Sequence, residues 1–442
     1  MRNLLQIELN EVNFDYVLKY GQQGHLPALN GMIERHGLTE TYSEDRYELL
    51  EPWIQWVSAH TGLSFAEHSV FRLGDIGEAK GLQQIWEVLE ESGITVGAVS
   101  PMNAANKCAN PAFFIPDPWT NTNITGSQFD AKLYRAIAAA VNENADGGGL
   151  DIEGYLSLIA GLMRYSRPAN WRRYFKQTLQ SGKDKWRRAL VLDLLLADLF
   201  SRKLEAQQPQ FATLFLNAAA HIQHHYLFNS GVYDGDIRNP NWYAAKETDP
   251  ILEIYRVYDR IVTDIAQRFP ETRLLIATGL HQQPYHSELY YWRLRDHADF
   301  MRRIGVEASR VEPRMSRDFV LYFDSIQKAG AAETLLASTA TQDGVKLFQI
   351  DNRGDSLFVE LVYPSTIEAD TRWLLPNGKS GLLLPEVALV ALKNGEHNGI
   401  GYLIDTAASS SEPTGKRFIG DLYTMALNHF KVAEPPVEAQ FA

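Results

Sequence analysis

Cysteine is almost absent: Cys108 is the only one in 442 residues. An intrachain disulfide is therefore excluded, as are zinc sites of four cysteines, or of two cysteines and two histidines, within one chain. Long apolar runs are missing as well. The opening "MRNLLQIELNEVNFD" interleaves its apolar residues with Gln6, Glu8 and Asn10, so it does not read as a signal peptide. "ALVLDLLLADLF" carries two aspartates and is too short to span a bilayer. Basic residues are the minority, 42 against 54 acidic, for a formal charge of -12, which argues against broad nucleic-acid binding. These absences set the expectation of a cytoplasmic chain with no membrane span and no nucleic-acid partner.

What is present is globular material, 45% hydrophobic and 22% charged. "LLQIELN" reads as a buried first strand with Asn10 at its C-terminal end. "LPALNGMIERHG" reads as a helix started at Pro27 and stopped at Gly37. "GLQQIWEVLEESG" followed by "ITVGAV" continues a helix–strand alternation that predicts parallel pairing with helical crossovers. "FATLFLN", "TRLLIAT" and "GIGYLIDT" are further strands, and "VKLFQIDNRGDSLFVELVY" is a hairpin turning at Asn352–Gly354. The fold class expected is α/β, a three-layer α/β/α sandwich around a mostly parallel sheet, with a helical insertion and a small β-containing subdomain. The core is placed at 1–120 and 206–432, the helical insertion or cap at 121–205, the subdomain at about 300–390 and a loose tail at 433–442.

Ligands in such sheets gather beyond the carboxyl ends of the parallel strands. Three histidines fall near those ends: His224 after "FATLFLNAAA", His281 after "TRLLIATGL", and His397 before "GIGYLIDT". Their separations match no zinc motif. In "AHIQHHYLF", His221 pairs at helical spacing with either His224 or His225, without the glutamate of an H-E-x-x-H helix.

In order along the chain, these segments resemble the alkaline phosphatase superfamily, especially its type I phosphodiesterase/nucleotide pyrophosphatase branch. "HTGLSFAEHSV" is similar to that branch's TGLxPxxHGI segment, "AAAHIQHHYLF" to its TDRxQHxxW run, "NGEHNGIGYLIDT" to its late SGxHxxxGxxxxxG loop, and "RFIGDLYTMAL" to its terminal helix. The resemblance implies two divalent ions, usually zinc, held by aspartates and histidines around a serine or threonine nucleophile. Two such cations offset the charge of a phosphate or sulfate ester and stabilise the leaving oxygen. Carried over residue by residue, it assigns three metal histidines to His224, His281 and His397. Its aspartates fall on Asn10, Ala220 and Leu280, and its nucleophile falls on Pro52, beside Glu51. A proline has no group with which to attack.

That pattern implies a divergent phosphatase-like protein and argues against a normal two-metal site. The expected cofactor is one zinc ion on His224, His281 and His397, with Glu51 or Glu8 as base. A metal-free reading instead gives a histidine the basic role and lets Arg293 and Arg295 hold an anionic substrate; the plainer reading of those two arginines is a solvated helix face. Asn10 keeps a polar group for substrate. The expected partner is an anionic small molecule or glycan precursor, bearing a phosphate or sulfate ester on a sugar or nucleotide, as in polysaccharide biosynthesis. The aromatic–arginine stretch "RYSRPANWRRYF" reads as a roof for such a substrate or as a packed helical exterior. The alternative to an enzyme is a non-catalytic domain that binds an anionic ligand or a protein.

Overall fold

The computed structural model describes residues 3–146, 151–314, 317–411 and 415–435; residues 436–442 of the expected tail lie outside it. An eight-stranded sheet runs in the order Arg417–Phe418, Thr39–Tyr42, Ile400–Asp405, Arg273–Ala277, Leu4–Leu9, Phe211–Leu216, Val96–Val99, Phe113–Ile115. Only Ile400–Asp405 is antiparallel to its neighbours. Every other pairing in the sheet is parallel.

Strand alternation divides the core into two faces. Leu5, Ile7 and Leu9 of the first strand join Ala212, Leu214 and Leu216 on one face, under Phe14, Leu29, Leu190, Ile254 and Tyr258 from four helices. Leu4, Phe211 and Phe215 face the other way, onto Trp56, Trp86 and Tyr423 of three further helices. The architecture is therefore a three-layer α/β/α sandwich around a mostly parallel sheet. The first strand is buried along its whole length, which is the pattern of a central parallel strand. Gln6 and Glu8, its polar residues, meet on the second face: Gln6 Nε2 donates to Glu8 Oε1 at 2.8 Å.

Punctuation in the sequence sets the helix ends. Pro52 occupies the first turn of Pro52–Thr61, where its missing N–H costs nothing, and Gly62 closes that helix at φ 76°. A Cβ on Gly62 would also lie 2.8 Å from the Tyr423 ring. The described residues between 128 and 207 carry the helices Gln128–Asp146, Ile152–Tyr165, Trp171–Gln180 and Arg187–Gln207.

The chain divides into two compact units, Met1–Val141 with Leu150–Pro284 and Gly395–Ala442, and Asn142–Gly149 with Tyr285–Asn394. The second holds an antiparallel sheet ordered Phe348–Asn352, Ser356–Leu361, Asp318–Tyr322, Arg310–Pro313. Its hairpin turns through Gly354 at φ 94°. Among the described residues, no helix is long and apolar enough to cross a membrane.

Candidate metal centre

The first strand delivers Asn10 and Glu11 to the carboxyl edge of the sheet. Glu11 takes φ 60°, a left-handed conformation that side-chain-bearing residues rarely adopt. Its backbone is tied down on both sides. Glu11 N donates to Thr278 O at 3.1 Å, and its carbonyl accepts from Gln223 Nε2 at 2.7 Å and Gln282 N at 3.2 Å. The turn swings the Glu11 carboxylate, 2% exposed, between His224 and His397.

The two histidines arrive by different routes. His224 sits on the helix Ala218–Tyr226, directly after the strand Phe211–Leu216 that pairs with the first strand. His397 precedes the antiparallel strand Ile400–Asp405, so the chain enters that strand at the edge where the parallel strands end. Its own short strand, Gly395–Asn398, pairs with His281–Pro284 and sets His397 opposite Gln282.

Glu11 Oε2 lies 3.4 Å from His224 Nε2 and 3.3 Å from His397 Nε2, and the two imidazole rings are 5.2 Å apart between centroids. The three donor atoms all fall within 4.8 Å of one another. His397 Nε2 is buried without a hydrogen-bond partner. A charged N–H to carboxylate bond is usually about 2.7–2.9 Å, whereas the edge of a tetrahedron with bonds of about 2.1 Å is about 3.4 Å. Two imidazoles and one carboxylate are also an accepted catalytic zinc set with a fourth position open. The residues present therefore fit one metal ion.

Electrostatics acts in opposite senses on the carboxylate and on the His397 imidazole, whose proton an ion would have to displace. Burial would raise the Glu11 carboxyl, but His397 and His224 pull it well below the usual carboxylate range, so it is ionised as a ligand must be. Burial pulls His397 down, and Glu11, Glu51 and the Leu50 backbone outweigh it, leaving the imidazole above its ordinary value. Further groups orient Glu11: Gln282 Nε2 donates to its Oε2 and to Ala220 O, and Asn10 Nδ2 donates to its Oε1 at 3.2 Å.

The residues singled out in the sequence divide as follows. His224 and His397 come together. His281 is not in the group: its neighbour Gln282 takes the strand face toward Glu11, and successive strand residues point to opposite faces. His281 Nδ1 instead contacts Ile400 O at 2.6 Å, its ring packs on Tyr402, and burial holds its basicity down. Glu51 is the N-cap residue of Pro52–Thr61 without a capping bond, and its Oε2 is 3.7 Å from His397 Nδ1. Glu8 is fully buried under the sheet, held by Gln6 and by His60 Nε2 at 2.9 Å. Asn10 accepts from Trp56 Nε1 at 2.7 Å and donates to Asn217 and Glu11. Arg293 lies in the strand Tyr290–Leu294 of the second unit and Arg295 just after it, rather than on a helix face.

Sequence reasoning missed Glu11, Gln282 and the glycine that lets Gln282 in. A Cβ on Gly395 would stand 1.9 Å from Gln282 Oε1. The available signal for Glu11 was its place one residue past the strand end, beside the Asn10 that the family pattern picked out.

No protein-family model and no curated protein matches the sequence. Solved structures that it resembles include phosphonoacetate hydrolase from Sinorhizobium meliloti 1021 in complex with phosphonoformate, 12% identical over 96% of this chain and 94% of that one, with a TM-score of 0.42. Human ectonucleotide pyrophosphatase/phosphodiesterase 5 is 10% identical over 98% and 96%, with a TM-score of 0.43. A mutant of alkaline phosphatase PafA is 9% identical over 98% and 96%, with a TM-score of 0.44. All three are alkaline phosphatase superfamily members, the superfamily that the sequence motifs resemble; at these identities and TM-scores the likeness assigns no activity.

Proposed function

We propose that this chain is a one-metal hydrolase that cleaves a phosphate or sulfate ester carried on a sugar or nucleotide. The observation that carries the reading is the Glu11 carboxylate set between the Nε2 atoms of His224 and His397. Glu11, His224 and His397 would hold the ion. When bound, a zinc ion there supplies Lewis-acid activation of water and of the ester oxygen at neutral pH.

The chain's own residues do the rest. Asn10 and Gln282 fix the Glu11 carboxylate through hydrogen bonds to its two oxygens. Glu51, partly exposed beside His397, takes the proton from the attacking water. Pro52 has no hydroxyl, so attack is by water in a single displacement, without a covalent ester on residue 52.

The test begins with metal content. Protein prepared without added metal should carry about one zinc per chain, and Glu11→Gln and His397→Ala should each lose most of it. Protein that stays metal-free after zinc addition sinks the reading. Hydrolysis of aryl phosphate diesters, monoesters and sulfates follows. Glu51→Gln should slow the best of these about 10²–10⁴-fold while the zinc content holds. Zinc bound with no hydrolysis of any ester would instead favour a ligand-binding protein.

A further inference from the structure

Far along the sequence from Glu11, two consecutive helices expose their apolar sides. On Ile152–Tyr165 the exposed residues are Ile152, Tyr155, Leu156, Ile159 and Met163. These spacings of three and four keep them on one face. On Trp171–Gln180 the exposed residues are Trp171, Phe175 and Leu179, each four apart. The exposure is large, 76% for Met163, 72% for Phe175 and 71% for Leu179. Both helices pack their opposite sides on Arg187–Gln207, where Tyr165 and Tyr174 are buried. Eight large side chains on two helix faces exceed the scattered exposure that needs no explanation.

Charge indicates what covers them. Residues 151–190 hold nine lysines and arginines against three acidic residues, in a chain whose formal charge is -12. Arg172 and Lys176, the latter 3.5 Å from Glu253, are exposed and, one residue on from Trp171 and Phe175, form a basic row beside the apolar row. Arg164, Lys183, Lys185 and Arg188 are exposed as well. The segments outside the described residues supply only Met1, Leu150, Met315, Val437 and Phe441 as large apolar side chains, too few to bury eight. A symmetric dimer through this face would set the basic excess against itself.

We infer that these two helices form a docking surface for an anionic lipid bilayer. The apolar rows enter the headgroup–acyl boundary to a depth of about 5–10 Å while Arg172, Lys176 and their basic neighbours meet lipid phosphates. Trp171 has the amphipathic ring suited to that depth. The acidic remainder of the chain is repelled by the same lipids, so the helices lead. This inference is independent of the metal centre.

Sedimentation of the full chain with vesicles tests it. The chain should bind phosphatidylcholine vesicles containing phosphatidylglycerol, bind pure phosphatidylcholine far less, and be released by high salt. Arg172→Ala and Lys176→Ala should each weaken binding roughly fivefold, and Phe175→Ser about tenfold or more. All three positions are exposed, so urea midpoints should not move, and zinc content should be unchanged. No binding to the anionic vesicles, or binding indifferent to these substitutions, overturns the inference. So does a wild-type chain that is dimeric by light scattering and becomes monomeric in Phe175→Ser, which assigns the face to a second copy.

Discussion

Replacing Gly395 with alanine should disable the metal centre through a residue that is not a ligand. Gly395 has no positive φ, so the cost of a Cβ there is purely steric. That carbon would lie 1.9 Å from Gln282 Oε1 and 3.1 Å from the backbone carbonyl of Gln223. The carbonyl belongs to the helix Ala218–Tyr226 and cannot yield, so the Gln282 amide must swing away. It then gives up its bonds to Glu11 Oε2 and Ala220 O. A bond to a charged acceptor contributes about 1.5–3 kcal/mol and a neutral one about 0.5–1.5. Roughly 2–4 kcal/mol of stability should therefore be lost. Losing a group that orients a metal ligand also costs about 10–100-fold in metal affinity. Urea unfolding of the metal-free protein reads the first quantity, and zinc competition against a chelator the second. The mechanism has a sharper signature than either number. Gln282→Ala removes the same bonds and also the atom that clashes most closely, so Gly395→Ala on that background should cost much less, only the 3.1 Å approach to the Gln223 carbonyl remaining. The coupling between the two sites would then be about 2 kcal/mol or more. Additive losses, or a Gly395→Ala protein that unfolds and binds zinc like the parent, would falsify the packing account.

Two further perturbations address the interior. His68 accepts from Val70 N at 3.0 Å through Nδ1 and meets Ser58 Oγ at 3.2 Å through Nε2, and burial pushes its imidazole down to about 4. The unfolded chain takes up this proton near pH 6.5, so the stability from neutral His68 is complete above that pH and is lost as pH falls through 4. It amounts to about 3 kcal/mol, and His68→Gln should flatten the urea stability profile over that interval; an unchanged slope would refute it. Glu8 and His60 are both fully buried, so His60→Leu alone, which leaves the carboxylate without its imidazole, should cost about 3–5 kcal/mol. Glu8→Leu with His60→Leu should unfold at higher urea than His60→Leu alone, and a double variant less stable than the single would contradict this.

The sheet was legible because its strands carry the pattern of their burial. Leu4–Leu9 reads as buried throughout, and Pro27 and Gly37 mark the ends of a helix where backbone geometry requires them; the helix Pro52–Thr61 was not legible in the same way. His224 and His397 were legible because each stands a few residues from a strand boundary, where chain position translates directly into space. Glu11 was not, because its place depends on a left-handed turn that glutamate seldom makes. His281 was drawn in by the same proximity to a strand end, but which of His281 and Gln282 faces Glu11 depends on strand register, invisible without the partner strand Gly395–Asn398. A solvated helix face was one of the two readings of Arg293, yet "YYWRL" alternates as a strand and pairs with Val387–Leu392.

Glu11 also bears on how many ions such a site can keep. Two dications at about 4 Å repel by about 16 kcal/mol at an effective dielectric of about 20, four times the product for unit charges. The superfamily pattern answers that with aspartates at positions occupied here by Asn10, Ala220 and Leu280, none of which carries charge. Glu11 restores one negative charge at the histidine pair, and Glu51 stands 3.7 Å from His397. One dication with these two carboxylates is electrically balanced, whereas a second would add two positive charges with no carboxylate from the three replaced positions to meet them. Ala220 shows how the restored charge is placed: its carbonyl and Glu11 Oε2 share the same Gln282 amide donor. The carboxylate thus lies beside the Ala220 backbone, reached from the first strand. A carboxylate stands at His224 and His397 while none stands at Asn10, Ala220 or Leu280, and that asymmetry is the electrostatic support for the one-ion proposal over a two-ion one.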